Sequence, residues 1–249
     1  MFSFFSPQAL YFGRGQAAQA ATLAAGFGRR VLIVHGSNLA RAAWLTESCI
    51  GAGLDVQTQC CAEEPSLPAI ESALASLKGQ SFDVVVALGG GSVIDFAKAL
   101  AALIPCDGNP LDYLEGVGVG RMLEQSPVPM IALPTTAGTG AEVTKNAVIA
   151  VPQHNVKVSL RDPRMIPNVA IVDAALMEGA PRRISLAAAL DAVTQVIEPF
   201  VSVKSNPMTD ALCRATIPVG ASALRELVEN GTPQAWDSMA WVSTCGGLA

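Results

Sequence analysis

Through its first two-thirds the chain alternates short runs of branched apolar residues with longer Ala/Leu-rich stretches of helical spacing. Residues 31–36, VLIVHG, are an apolar run closed by a glycine, the pattern of a strand buried on both faces. The spacing from Leu39 to Gly53 predicts a helix that ends in a glycine turn, and LDVQTQC, 54–60, the next strand. Between Pro68 and Lys78, Ile70, Leu74 and Leu77 share one helical face, and Gly79 supplies the stop. DVVVALGGGS, 83–92, reads as a central strand opening into three glycines and a serine, with a helix from Val93 to Ile104. VPMIALPTT, 128–136, repeats the strand-then-loop pattern, and NAVIAV (146–151) and VAIVDAA (169–175) add strands. This alternation predicts an α/β fold with a mostly parallel sheet covered by helices on both faces.

After Met177 the strand signals nearly vanish. Three helical segments follow, beginning at Ile184, Pro207 and Pro233. We therefore divide the chain into an α/β domain, 1–178, and the start of an all-helical domain, 179–249. The closing segment is apolar and rich in small residues and lacks a basic last turn. Gly246-Gly247 reads as a helix C-cap, and the helical domain is expected to be truncated at Ala249, continuing in a longer chain.

Composition narrows the function classes. Sixteen Lys+Arg against 21 Asp+Glu give a net charge of −5, which argues against a nucleic-acid partner. No uninterrupted apolar run reaches the ~18 residues of a membrane span. The apolar N-terminus has no basic residue before Arg14 and is broken by Pro7 and Gln8, unlike a signal peptide. None of the six cysteines forms a CxxC pair, so buried, reduced thiols and a cytoplasmic location are expected. The two histidines, His35 and His154, cannot build an imidazole-rich metal site.

Three segments can carry chemistry. In GGGSVIDFAKA, 89–99, Gly89, Gly90 and Gly91 let the backbone approach a ligand, and the following helix N-terminus offers N–H groups to a phosphate. Ser92 is expected as N-cap and phosphate donor, with Asp95 three residues on reaching back to the backbone. The same string also suits a plain tight turn. In PTTAGTGAEVT, 134–144, Thr135, Thr136, Thr139 and Thr144 offer uncharged donors suited to a nucleotide's ribose or nicotinamide amide, or simply an ST-turn loop. In LDAVTQVIEPF, 190–200, Asp191 and Gln195 lie four apart on one helical side. They can contribute two oxygens to a divalent cation, or cap and decorate the surface.

These strings, with KVSLRDPRMIPNVAIVDAAL (157–176) and ALDAVTQVIEPFVSVKSNPMTDAL (189–212), occur in the order found in the iron-containing (group III) alcohol dehydrogenases. The chain resembles that family, whose fold is akin to dehydroquinate synthase. The resemblance implies an N-terminal dinucleotide-binding domain, an all-helical domain, and an active site in the cleft between them. It implies that Gly89, Gly90, Gly91 and Ser92 hold the pyrophosphate of NAD or NADP, with Gly36 and Asp95 nearby. Thr135, Thr136, Thr139, Thr144 and Asn146 would line the nicotinamide-ribose side, and Lys157 would reach the ribose. Asp191 would be the catalytic metal's first ligand, for iron or zinc. The implied substrate is a small alcohol or aldehyde, and the implied assembly a homo-oligomer, a dimer.

Three positions depart from the family pattern. Gln195 stands where a histidine is usual, and is a weaker donor for Fe²⁺ or Zn²⁺. The family's two remaining histidine ligands have no counterpart within the chain, and neither His35 nor His154 is placed to replace them. Where NAD-preferring members often carry an aspartate after the first strand, this chain reads Gly36-Ser37-Asn38, which leaves NADP open, with Arg41 or Arg29 to assist a 2′-phosphate. Two other readings follow: a metal-independent enzyme like the maleylacetate reductases, which share the scaffold, or a cofactor-binding fragment without catalysis.

Overall fold

The structure, a computed structural model, describes residues 1–249. Six parallel strands form the central sheet: β1 (Ala9–Phe12), β2 (Arg30–His35), β3 (Asp55–Cys60), β4 (Val84–Gly89), β5 (Met130–Pro134) and β8 (Val169–Val172), in the order β1-β8-β5-β4-β2-β3. The inner strands are buried on both faces. Along β4, Val84, Val86 and Leu88 enter one core and Val85 and Ala87 the other, the strict alternation that a pleated strand imposes. Helices α1 (Ala20–Ala25) and α2 (Ala43–Gly51) cover the first face, and α3 (Leu67–Ser76) and α4 (Gly91–Leu103) the second. The chain leaves β2 for β3 across one face and leaves β4 for β5 across the other. The two connections diverge, so a crevice opens at the carboxyl ends of β2 and β4, where open α/β sheets bind ligands.

Three strands differ from the sequence reading, which had none at 9–12 or 156–161. Ala9–Phe12 is a strand, although its four residues sit at the sheet edge with only alternate positions half-buried and carry almost no pattern. Residues 146–151 are not part of the parallel sheet. They form β6 (Asn146–Val151), paired antiparallel with β7 (Val156–Arg161) in a separate hairpin. Asn155 makes its turn at φ +51°, a left-handed conformation that asparagine tolerates.

Three helices follow: α5 (Arg182–Val201), α6 (Pro207–Glu229) and α7 (Pro233–Leu248). Asn206 caps α6 from both sides, accepting from the Thr209 N–H while its own N–H donates to Thr209 Oγ1. Ala189, Ala192, Val196, Ala223, Met239 and Val242 pack between the helices, and Val172, Ala174 and Met177 at the sheet end join that core. By length and composition α5 is apolar enough to cross a membrane, and its buried positions face α6 and α7. Arg14 ties the sheet to the helices through Glu178, Asp237 and the Pro233 carbonyl, each at 2.8 Å.

The Gly246-Gly247 pair is not a C-cap. Both residues lie inside α7, which runs on to Leu248, and they are small because neighbours press against them. A Cβ on Gly247 would fall 2.4 Å from the Gly140 carbonyl oxygen, and one on Gly246 would fall 3.0 Å from Gln195 Cβ. The helix therefore lies directly on the threonine loop. Gly247→Ala must push backbone off backbone, so a loss of roughly 1–3 kcal/mol is expected, or a melting point lower by roughly 2–12 °C at this chain length. Thermal unfolding followed by circular dichroism checks it, and an unchanged melting point would contradict the contact.

Candidate functional site

The crevice at the carboxyl ends of β2 and β4 is a cavity of about 390 Å³. His35 and Gly36 close one strand into it, Leu88 and Gly89 the other, and Arg41 and Trp44 form an outer wall. His35 is buried, with Nδ1 2.7 Å from the Gly36 carbonyl oxygen, so its ring shapes the wall. The cavity floor is where α4 begins. Helix N-termini leave their first N–H groups without helical acceptors, which makes this end a natural anion site.

Gly90, not Ser92, is the N-cap of α4, at φ −75° and ψ −174°. The sheet's hydrogen bonding ends at Gly89, whose carbonyl accepts from the Thr135 N–H at 2.9 Å, so the chain turns at Gly90, two residues earlier than the serine suggested. Ser92 lies in the first helical turn with its side chain exposed. The glycines are needed for close approach. A Cβ on Gly89 would fall 2.5 Å from Val93, one on Gly90 3.1 Å from Thr136 Oγ1, and one on Gly91 2.7 Å from Thr139 Oγ1. The glycine turn and the threonine loop thus press together, and the turn presents backbone rather than side chains.

Asp95 is not a cap either. Its Oδ2 accepts from the Val148 N–H at 3.0 Å, joining α4 to β6. Burial pushes its carboxyl above the usual range, against the pull of Lys98 and that N–H. Lys98, to which sequence reasoning gave no role, is 1% exposed and donates to Thr144 Oγ1 at 2.7 Å and to the Asn146 carbonyl at 3.1 Å. Burial lowers its ammonium to about 8, opposed by Asp95 and Glu142. Glu142 is 2% exposed and accepts from Thr244 Oγ1 of α7 at 2.9 Å, and burial raises its carboxyl. The available signal was a charge inside an apolar run, FAKAL and AEV, where ionised groups are rarely buried without a partner.

The remaining residues are more dispersed. Lys157 sits on the exposed face of β7 in an ion pair with Glu64 at 2.5 Å. Arg41 lines the cavity and donates to the Leu176 carbonyl at 2.9 Å. Arg29 precedes β2, at the opposite end of the sheet, beside Asp55 and Asp83. It is therefore too far from the cavity to serve a 2′-phosphate. Four cysteines are buried, Cys106 is half-buried and Cys60 is exposed at the end of the edge strand, so the expectation of buried thiols fails there.

Asp191 and Gln195 share one side of α5 beside the threonine loop. Gln195 Nε2 donates to Asp191 Oδ2 at 3.1 Å and to the Gly138 carbonyl at 3.2 Å. Both partners are acceptors, which fixes the amide with its nitrogen toward Asp191. A protonated amide nitrogen is no metal ligand, so Gln195 as placed withholds its oxygen from any cation at Asp191. No three His, Cys, Asp or Glu side chains converge on one point in the chain. The donor set present therefore does not fit the iron or zinc that the resemblance implies.

Residues 7–174 match the description "Iron-containing alcohol dehydrogenase", and residues 185–249 match "Fe-containing alcohol dehydrogenase family, C-terminal". Long-chain-alcohol dehydrogenase 1 of Geobacillus thermodenitrificans is 40% identical over 187 residues, 75% of this chain and 47% of that protein. The NAD-dependent methanol dehydrogenase of Bacillus methanolicus is 32% identical over 257 residues, 100% of this chain and 66% of that one. The crystal structure of a 1,3-propanediol oxidoreductase superposes with a TM-score of 0.92 at 28% identity, covering 100% of this chain and 66% of its own. The chain thus spans between about half and two-thirds of these relatives' length. It belongs to the iron-containing alcohol dehydrogenase family.

Proposed function

We propose that this chain is the cofactor-binding part of an oxidoreductase that moves a hydride between a nicotinamide dinucleotide and a small alcohol or aldehyde. The observation that carries this reading is the contact of the glycine turn with the threonine loop over the start of α4, at the mouth of the β2/β4 crevice. The cradle fits a pyrophosphate, because any Cβ at Gly89, Gly90 or Gly91 would collide with its walls. The α4 N-terminal amides and the Ser92 hydroxyl would hold the phosphates. Gly36, Ser37 and Asn38 at the end of β2 would meet the adenosine ribose. Thr135, Thr136 and Thr139 would orient the nicotinamide ribose and ring. Bound there, the nicotinamide supplies the hydride acceptor or donor.

For the metal the position is different. Asp191 is one carboxylate with a hydrogen-bonded amide beside it, so no step of the reaction is derived through a metal. That same pairing favours a second reading, a metal-independent reduction of a carbonyl-conjugated alkene like that of the maleylacetate reductases.

On the cofactor side, the wall near Ser37 and Asn38 contains Arg41, and the cavity's carboxylate, Glu178, is engaged by Arg14. Nothing there repels a 2′-phosphate, so both NAD and NADP are expected to bind. Trp44 in the cavity wall gives the readout. Titration with NADH, NADPH and ADP should quench its fluorescence saturably in the micromolar to low millimolar range. If none of the three perturbs Trp44 or gives heat in calorimetry, the cofactor reading fails.

A further inference from the structure

The crevice beside β2 contains one carboxylate, and β2 does not supply it. Gly36-Ser37-Asn38 ends that strand without an acid, and the Asn38 side chain accepts from the Ala40 N–H at 3.1 Å. The acid is Glu178, which enters the cavity wall from the segment that leads from β8 to α5. Arg41 reaches the same segment and donates to the Leu176 carbonyl at 2.9 Å. The cavity's arginine and its carboxylate therefore stand on one wall, opposite the end of β2.

Glu178 is held in an ion pair. Arg14 Nη2 donates to its Oε1 at 2.8 Å, and the same guanidinium donates to Asp237 Oδ1 and to the Pro233 carbonyl at the start of α7, also at 2.8 Å. Three acceptors around one planar fork fix its orientation, so α7 holds Arg14 and Arg14 holds Glu178. Arg14 engages Oε1, which leaves Oε2 to face a ligand. An adenosine ribose at this wall then meets two chemistries. Oε2 can accept from a free 2′-hydroxyl, the role an acid at the end of the second strand plays in other dinucleotide sites. A 2′-phosphate instead meets a carboxylate whose charge Arg14 offsets at contact distance, with Arg41 beside it to attract.

We propose that the Arg14–Glu178 pair determines the choice between NAD and NADP: Glu178 stands in for the acid that β2 lacks, and Arg14 governs how much of its charge a 2′-phosphate feels. The proposal rests on the cofactor reading given above and names its specificity-determining residues at the adenosine end. Arg14 touches no ligand and acts through Glu178.

Arg14→Gln leaves Glu178 uncompensated and should weaken NADPH relative to NADH by about tenfold. Glu178→Gln removes the repulsion and should shift the same ratio about threefold the other way. Both side chains are about a third exposed, so the shifts should shrink as salt is raised. In the Arg14→Gln/Glu178→Gln double variant the ratio should match that of Glu178→Gln alone, because Arg14 has nothing left to offset. Trp44 fluorescence reads each titration. Adenosine 2′,5′-bisphosphate against AMP should repeat the pattern without a nicotinamide.

Equal weakening of NADH and NADPH in Arg14→Gln would mean that Arg14 only ties α7 to the sheet, and would overturn the proposal. An unchanged ratio in Glu178→Gln overturns it as well, even where Arg14→Gln does not fold. So does an Arg14→Gln effect that persists in full when Glu178 is already glutamine. A parent protein that binds neither dinucleotide, AMP nor the bisphosphate defeats the cofactor reading itself, a result distinct from binding without discrimination.

Discussion

Gly91→Val is expected to weaken dinucleotide binding by about 100-fold or more, equivalent to roughly 2.7 kcal/mol. The Cβ of a residue at 91 would stand 2.7 Å from Thr139 Oγ1 and 2.8 Å from Thr139 Cγ2, closer than real side chains approach. Either Thr139 swings out or the first turn of α4 retreats. Both outcomes disturb the same proposed site, in which Thr139 would supply a hydroxyl and α4 the phosphate-facing amides. Valine adds two branches beyond that Cβ, in the gap where the pyrophosphate would pass. Gly91→Ala separates the effects: it keeps the Cβ clash but not the branches, so a loss of about tenfold is expected. Calorimetric titration of both variants with NADH, NADPH and ADP measures them. ADP should weaken as much as the dinucleotide, since the damage lies in the half that ADP occupies. Parent-like affinity in Gly91→Val would refute the cradle.

The second large effect is on stability against pH. Lys98 has an ordinary value of 10.5 and stands at about 8 in the folded chain, because burial outweighs Asp95 and Glu142. For a base whose folded value is depressed, the unfolded chain holds the extra proton between the two values. Stability then rises with pH through that window. Below about pH 8 the charged, buried ammonium imposes its full cost. From pH 8 to 10.5 the cost is relieved, by about 3 kcal/mol at the limit. Other groups move the opposite way: burial raises the Cys61 and Cys245 thiols to about 12, so their ionisation favours unfolding over the same range. The comparison therefore has to be differential. The unfolding free energy of the parent minus that of Lys98→Met should increase from pH 7.5 to pH 10. A flat difference in denaturant melts would show that Lys98 is not buried as a charge.

Much of the architecture was legible before any tertiary information. The glycine turn after VVVAL declares itself, because a run of three glycines between a buried strand and a helix has a high entropic cost in the absence of a close neighbour. The three C-terminal helices were readable from periodicity, and Pro207 and Pro233 start their helices where a missing N–H costs nothing. What escaped was what depends on partners distant in sequence. β1 is four residues at an edge, and its pairing with β8 lies some 160 positions away. NAVIAV looks like any other apolar strand, and nothing within it states whether its neighbour runs parallel or antiparallel. Ser92 resembled a cap until the Gly89–Thr135 hydrogen bond placed the turn at Gly90.

By itself the sequence determined the α/β-then-helical plan, the glycine and threonine loops that follow two of its strands, and the Asp191–Gln195 spacing. These are local facts, fixed by hydrophobic period, glycine content and residue identity. Only the tertiary structure decided what each polar side chain is for. It turned Asp95 from a presumed cap into a tie between α4 and β6, put Lys98 and Glu142 in the interior, sent Arg29 to the far end of the sheet, and made Gly246-Gly247 a contact surface for the threonine loop and α5. The physical reason is common to all four. A buried polar group or a missing side chain takes its meaning from the atoms it meets, and those atoms come from chain segments that the local pattern cannot see.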